Sequence, residues 1–102
     1  MIRLTVSYNL PHDSDEEEFI AWRLSEHQRN NESMPGVVRT DFARIVDTWS
    51  NGETPEYAFQ TTVDWPDRES FERGFYDAAV QEKLQENLKR LASYTFTVSE
   101  VY

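Results

Sequence analysis

The feature that most constrains this chain is an alternation of periodicities in a fixed order. Residues 2–8 repeat with period two: Ile2, Leu4, Val6 and Tyr8 alternate with Arg3, Thr5 and Ser7, the pattern of a strand with one apolar face. A stretch with helical spacing follows, then two more alternating stretches, a second helical stretch and a last alternating one. The order is strand, helix, strand, strand, helix, strand within 102 residues. A chain of that length is one domain, residues 1–102. The order predicts an α+β fold of ferredoxin-like βαββαβ plan, an antiparallel sheet with both helices on one face.

Turn and cap chemistry set the expected boundaries. Leu10-Pro11-His12-Asp13 closes the first strand. The first helix starts at Ser14 or Asp15: Ser14 and Glu17 have capping-box spacing, and Asp15 to Glu18 bring negative charge to the helix N-terminus. That acidic run reads as a helix start rather than a metal site. The helix runs to about Asn30, ahead of Met34-Pro35-Gly36. Val37 to Trp49 reads as a long second strand, Asn51-Gly52 as a hairpin signal, and Tyr57 to Trp65 as a third strand antiparallel to the second. Asp67 is the expected N-cap of the second helix. Gly74 weakens the middle of that helix and Asp77 offers a fresh cap, so a kink or break is expected there. Val80, Leu84, Leu88 and Leu91 then repeat at helical spacing, and Phe96, Val98 and Tyr102 mark the last strand.

The second face of the sheet is unusual. Thr5, Ser7, Asp41, Ala43, Ile45, Gln60, Thr62, Thr95, Thr97, Ser99 and Val101 fall on it together. A solvated face would carry Lys and Glu, whereas this one is mostly small, neutral, hydroxylic and β-branched. Such a surface suits packing against another sheet and predicts a homodimer built face to face.

Composition removes several partners. With 19 Asp+Glu against 10 Lys+Arg the net charge is −9, which opposes nucleic acid and anionic membrane surfaces. There is no cysteine, hence no disulfide, thiolate nucleophile or zinc-thiolate site. Two histidines fifteen residues apart make no metal constellation, and three scattered glycines make no phosphate loop, so no metal and no cofactor is expected. The polar N-terminus and the lack of a long apolar run predict a cytoplasmic protein. Aromatic residues are 14% of the chain against 38% for the whole apolar set. Rings beyond the needs of a small core would line a cavity or an interface.

The sharpest feature lies on the first helix. Phe19, Ile20 and Leu24 span an apolar arc, and Arg23 and His27 fall inside it, with Trp22 on its flank. Two ionisable groups therefore point at the sheet. A buried Arg needs partners, and His27 titrates near neutrality when unperturbed. His27 is thus a candidate general acid/base or polar anchor, and equally a core histidine bonded to a backbone carbonyl or Asp41. Arg23 is a candidate anchor for an anion or carbonyl, and equally an ion-pair partner of Glu26, Asp41 or Asp64. Trp22, Tyr8, Phe42 and Tyr76 are the candidate walls of an apolar pocket.

Phe19-Ile20-Ala21-Trp22-Arg23-Leu24-Ser25-Glu26-His27, followed by Met34-Pro35-Gly36-Val37, resembles the first-helix signature of EthD-domain proteins. Asp64-Trp65-Pro66-Asp67-Arg68-Glu69-Ser70-Phe71 resembles that family's second block, so the likeness covers about residues 2 to 101. It implies a dimeric α+β barrel of two ferredoxin-like protomers. It is similar in length and layout to accessory proteins of prodigiosin-type pigment pathways as well. The resemblance carries the family His onto His27 and the helix aromatic onto Trp22, with Arg23 beside them. The acidic helix start and Gly74 depart from the family pattern. Two expectations follow: a homodimer binding a small apolar or aromatic metabolite, with cofactor-free proton-transfer, dehydratase, cyclase or monooxygenase-like chemistry if it is an enzyme, or a non-catalytic accessory dimer docking a partner enzyme.

Overall fold

The computed structural model describes residues 1–49 and 52–102. Strands β1 (Ile2–Asn9), β2 (Arg39–Arg44), β3 (Phe59–Trp65) and β4 (Ser93–Glu100) form one sheet in the order β2-β3-β1-β4, with every neighbouring pair antiparallel. Helices occupy one side, which gives the ferredoxin-like α+β arrangement expected from the order of periodicities. The first helical stretch is α1 (Glu16–Trp22), a π-helical turn (Arg23–His27) and α2 (Gln28–Glu32); the second is α3 (Arg68–Phe75) and α4 (Ala78–Leu88).

Alternation along the strands decides which side chains meet the helices. Ile2, Leu4 and Tyr8 of β1 and Phe59, Val63 and Trp65 of β3 are buried on the helix side. Phe71 of α3 meets Trp65 edge-on, with ring centroids 5.2 Å apart. Each fully buried ring or aliphatic side chain here contributes about 1.5–3 kcal/mol relative to exposure. On the other side the register lines up Ala43, Gln60, Ser7 and Thr95 in one row, and Asp41, Thr62, Thr5 and Thr97 in the next. The hydroxylic face read from the sequence is therefore contiguous.

Several boundaries move. The Asp15 carboxylate, not Ser14, caps α1, accepting from the Glu18 N–H at 3.1 Å; the Ser14 N–H is engaged in a turn with the Pro11 carbonyl. Asp67 and Asp77 cap α3 and α4 as expected, accepting from the N–H groups of Ser70, and of Ala79 and Val80. The break between these helices lies at Tyr76–Asp77, and Gly74 sits inside α3. The second strand ends at Arg44 rather than Trp49, and the third begins at Phe59 rather than Tyr57. Val46 and Trp49 are exposed, so no burial rewards extending the ladder past the Ile45 N–H···O=C Ala58 bond. Of the Asn51-Gly52 hairpin signal, Asn51 lies outside the described residues, and Gly52 takes φ +75°. Tyr102 lies beyond β4 and is exposed.

The π-turn has the largest consequence for function. The Gln28 N–H reaches back five residues to the Arg23 carbonyl, which widens the helix by one residue over that turn. Arg23 is left fully buried while Leu24 is 61% exposed. The apolar arc expected from a regular helix thus loses Leu24, and the ionisable residues keep the inward positions.

Candidate functional site

Val80, Leu84, Leu88 and Leu91 do face the sheet, yet no residue of α4 is fully buried. They border a cavity of about 140 Å³ between α4, the π-turn and the inner faces of β1, β3 and β4. Space of that size is close to an engineered apolar cavity of about 150 Å³ that admits benzene. Its floor is Leu4, Val6, Val63 and Phe96, and Phe75 and Met34 close one side.

The polar groups gather on the first helical stretch and the strands facing it. Arg23 is 0% exposed. Its Nη2 donates to Thr61 Oγ1 at 3.1 Å and its Nη1 to Gln28 Oε1 at 2.6 Å, and the guanidinium lies 4.7 Å over the Phe42 ring. Thr61 Oγ1 also shares a 3.0 Å hydrogen bond with the Tyr8 hydroxyl. Arg23 Nε has no partner among the described residues, and none of its partners is a carboxylate. Burial pulls the Arg23 guanidinium below its ordinary pKa and pushes the Tyr8 phenol above its own, which keeps the phenol neutral at neutral pH; a guanidinium retains its charge inside proteins.

His27 stacks on Trp22 with centroids 4.8 Å apart, and Arg90 covers Trp22 at 4.2 Å. His27 Nδ1 lies 3.1 Å from the Asn87 side-chain nitrogen. With Asn87 donating, Nδ1 accepts and a neutral ring carries its proton on Nε2. Burial, reinforced by the positive charges of Arg23, Lys83 and Arg90, depresses the His27 pKa to about 4. The imidazole is therefore neutral at physiological pH, a hydrogen-bonding group and a weak base.

Of the residues singled out in the sequence, Tyr8, Trp22, Arg23 and His27 line the cavity together. Phe42 does not: it stands behind Arg23 and packs on Phe19 and Phe59, because β2 is the far edge of the sheet. Tyr76 does not either: it is 62% exposed at the break between α3 and α4, against Phe71 and Phe75. The proposed protein partners are replaced as well. Asp64 takes a bidentate pair from Arg3 and Asp41 pairs with Arg39, both on the opposite sheet face, so neither meets Arg23 or His27. Thr61, Lys83, Asn87 and Arg90 escaped the sequence reading. Thr61 interrupts the apolar alternation of Phe59, Val63 and Trp65, and Asn87 falls on the Leu84–Leu91 stripe. These are the irregularities that had exposed Arg23 and His27 on the first helix.

A four-stranded sheet with a cavity beneath helices on one side places the chain in the ferredoxin-like α+β class. The chain matches no family model and no curated protein. Among solved structures it is similar to an EthD family protein from Bacillus halodurans, at 19% identity over 100% of this chain and 99% of that one, with a TM-score of 0.81. It is also similar to a hydroxynitrile lyase from Passiflora edulis, at 9% identity over 99% and 93% of the two chains and a TM-score of 0.79. A dimeric ferredoxin-like protein of unknown function from Thermobifida fusca matches at 11% identity over 98% and 90%, with a TM-score of 0.70. The EthD resemblance of the sequence thus holds at the level of the fold. No helix among the described residues is long and apolar enough to cross a membrane, and no group of acidic or His side chains among them is placed to hold a metal.

Proposed function

We propose that this chain is a homodimeric small-molecule-binding protein whose cavity takes an apolar or aromatic metabolite. The observation that carries the reading is one cavity wall built of Leu, Val and Phe side chains, met by four convergent polar groups on Tyr8, Arg23, His27 and Thr61. An apolar space with a few placed donors is what orients a small ring. Trp22 and Tyr8 supply walls, Arg23 an anchor for an oxygen, and His27 a donor or acceptor. Phe42 serves by holding Arg23 from behind, and Tyr76 has no place in the site. The hydroxylic rows on the other sheet face suit a face-to-face dimer, and the similar Thermobifida protein is dimeric. The lyase from Passiflora supports the view that this fold hosts chemistry on small molecules. Any proton transfer would use His27, whose basicity must rise from about 4 when a ligand enters.

Thermal unfolding in the presence of a panel of small aromatic compounds tests this. Binding to the folded state alone adds about 2.7 kcal/mol of stability at a hundredfold excess over Kd and raises Tm accordingly. A Leu84→Trp variant, which fills the cavity, should keep its fold and lose the shift. If no compound moves Tm in the parent protein, or the filled variant responds equally, the cavity is not a binding site.

A further inference from the structure

The chain carries 19 acidic residues, yet not one Asp or Glu borders the cavity among the described residues. Its charged lining is Arg23, Lys83 and Arg90, three of only ten Lys and Arg in the protein. Arg23 comes from the π-turn, Lys83 from α4 and Arg90 from the segment after it, so the cations converge from two sides. The remaining titratable groups on the lining are Tyr8 and His27, and neither bears negative charge at neutral pH. The nearest carboxylate in the Arg23 network is that of Glu32, which lies exposed beyond Gln28, 3.3 Å from Gln28 Nε2.

A buried guanidinium without a counter-ion is costly, and burial of a cation is normally offset by a paired carboxylate. Among the described residues the offset comes only from neutral oxygens and the face of Phe42, and Nε is left without a partner. The protein has the acidic residues to neutralise this pocket and places none there. From this distribution we infer that the cavity takes its ligand as an oxygen anion: a small ring bearing a phenolate, enolate or carboxylate, its negative oxygen directed at Arg23. The inference rests on the small-molecule reading above and adds the charge of the ligand to it. In a low-dielectric site one charge-assisted hydrogen bond outweighs a neutral one, and the apolar floor holds the ring.

Para-nitrophenol and para-nitrotoluene are probes of nearly equal size, and only the first yields an anion, which absorbs in the visible. Arg23 anchoring predicts that bound nitrophenol titrates lower by about one pH unit or more, equivalent to a tenfold or greater preference for phenolate. Nitrotoluene should bind at least about tenfold more weakly than nitrophenolate. Arg23→Gln should remove the preference. Should that variant fail to fold, the double variant Lys83→Gln and Arg90→Gln, at exposed positions, should reduce it. In a histidine NMR titration para-nitrobenzoate, whose carboxylate stays ionised while His27 titrates, should raise the His27 pKa, and nitrotoluene should leave it in place. Equal affinity for the two probes, or a raised pKa of bound nitrophenol, would overturn the anionic assignment while leaving a neutral apolar site. Failure of both probes and of the wider panel to bind would remove the small-molecule reading and this inference with it.

Discussion

Gly74→Ala is expected to lower Tm by roughly 5–20 °C, although Gly→Ala inside an exposed helix would ordinarily stabilise by about 1 kcal/mol. A Cβ at this position would overlap the Pro35 carbonyl oxygen and come within 2.7 Å of Trp65 Nε1. Those two groups are partners, the indole N–H donating to the Pro35 carbonyl at 3.0 Å. The extra methyl therefore meets backbone on one side and a fully buried indole on the other, with no flexible chain end to yield. Trp65 stands at the centre of the cluster of Ile2, Leu4, Val63 and Phe71, so displacing it loosens the helix side of the sheet. Overpacking of about 1–3 kcal/mol plus the lost hydrogen bond of about 1 kcal/mol exceeds the gain in helix propensity. A melt followed by circular dichroism measures the effect. An unchanged or raised Tm would mean that the Pro35 turn moves aside and that Gly74 has no packing role.

Gly74 shows where reading the sequence succeeds and where it fails. The glycine is legible as an anomaly inside a helix, and propensity alone assigns it to a break. The close approach that requires it involves Pro35 and Trp65, and no local pattern reports a contact between such distant positions. The order of the elements was legible for the opposite reason: periodicity is local, and few topologies join six such elements without crossed connections. The site was half legible. Arg23 and His27 stood out because polar groups on an apolar stripe conflict with the pattern around them. Phe42 and Tyr76 were assigned to the walls on ring size alone, which carries no direction. The π-turn gives no sequence signal, yet it sends Leu24 outward and leaves Arg23 inside. Thr61 and Asn87 carried the same signal as Arg23, but an uncharged group on an apolar face conflicts less sharply with its surroundings.

Wild-type stability is expected to fall between about pH 6.5 and 4 in a way that His27→Gln does not share. The unfolded chain takes up a proton on His27 near 6.5, whereas the folded protein holds that pKa down at about 4. Below 6.5 the unfolded state therefore binds more protons, and stability drains away until the folded pKa is passed. A gap of that size corresponds to roughly 3 kcal/mol once the window is crossed, an upper figure because the ring is only partly buried. Glutamine keeps a side-chain amide near Asn87 and has no proton to gain. Acidic caps such as Asp67, whose carboxylate is held low by the Ser70 N–H, lose stability in acid in both proteins. The difference between the two Tm-against-pH curves therefore isolates the imidazole. Parallel curves would mean that His27 is freely protonated in the folded state and that its cationic neighbours exert no field on it. A second comparison links this effect to function. The cations of Arg23, Lys83 and Arg90 contribute to the low pKa, so an anion bound beside them should oppose their field. With para-nitrobenzoate present, ionised across this window, the wild-type curve should move toward that of His27→Gln. His27 would then gain basicity only in the occupied cavity, which confines any proton transfer to the bound ligand.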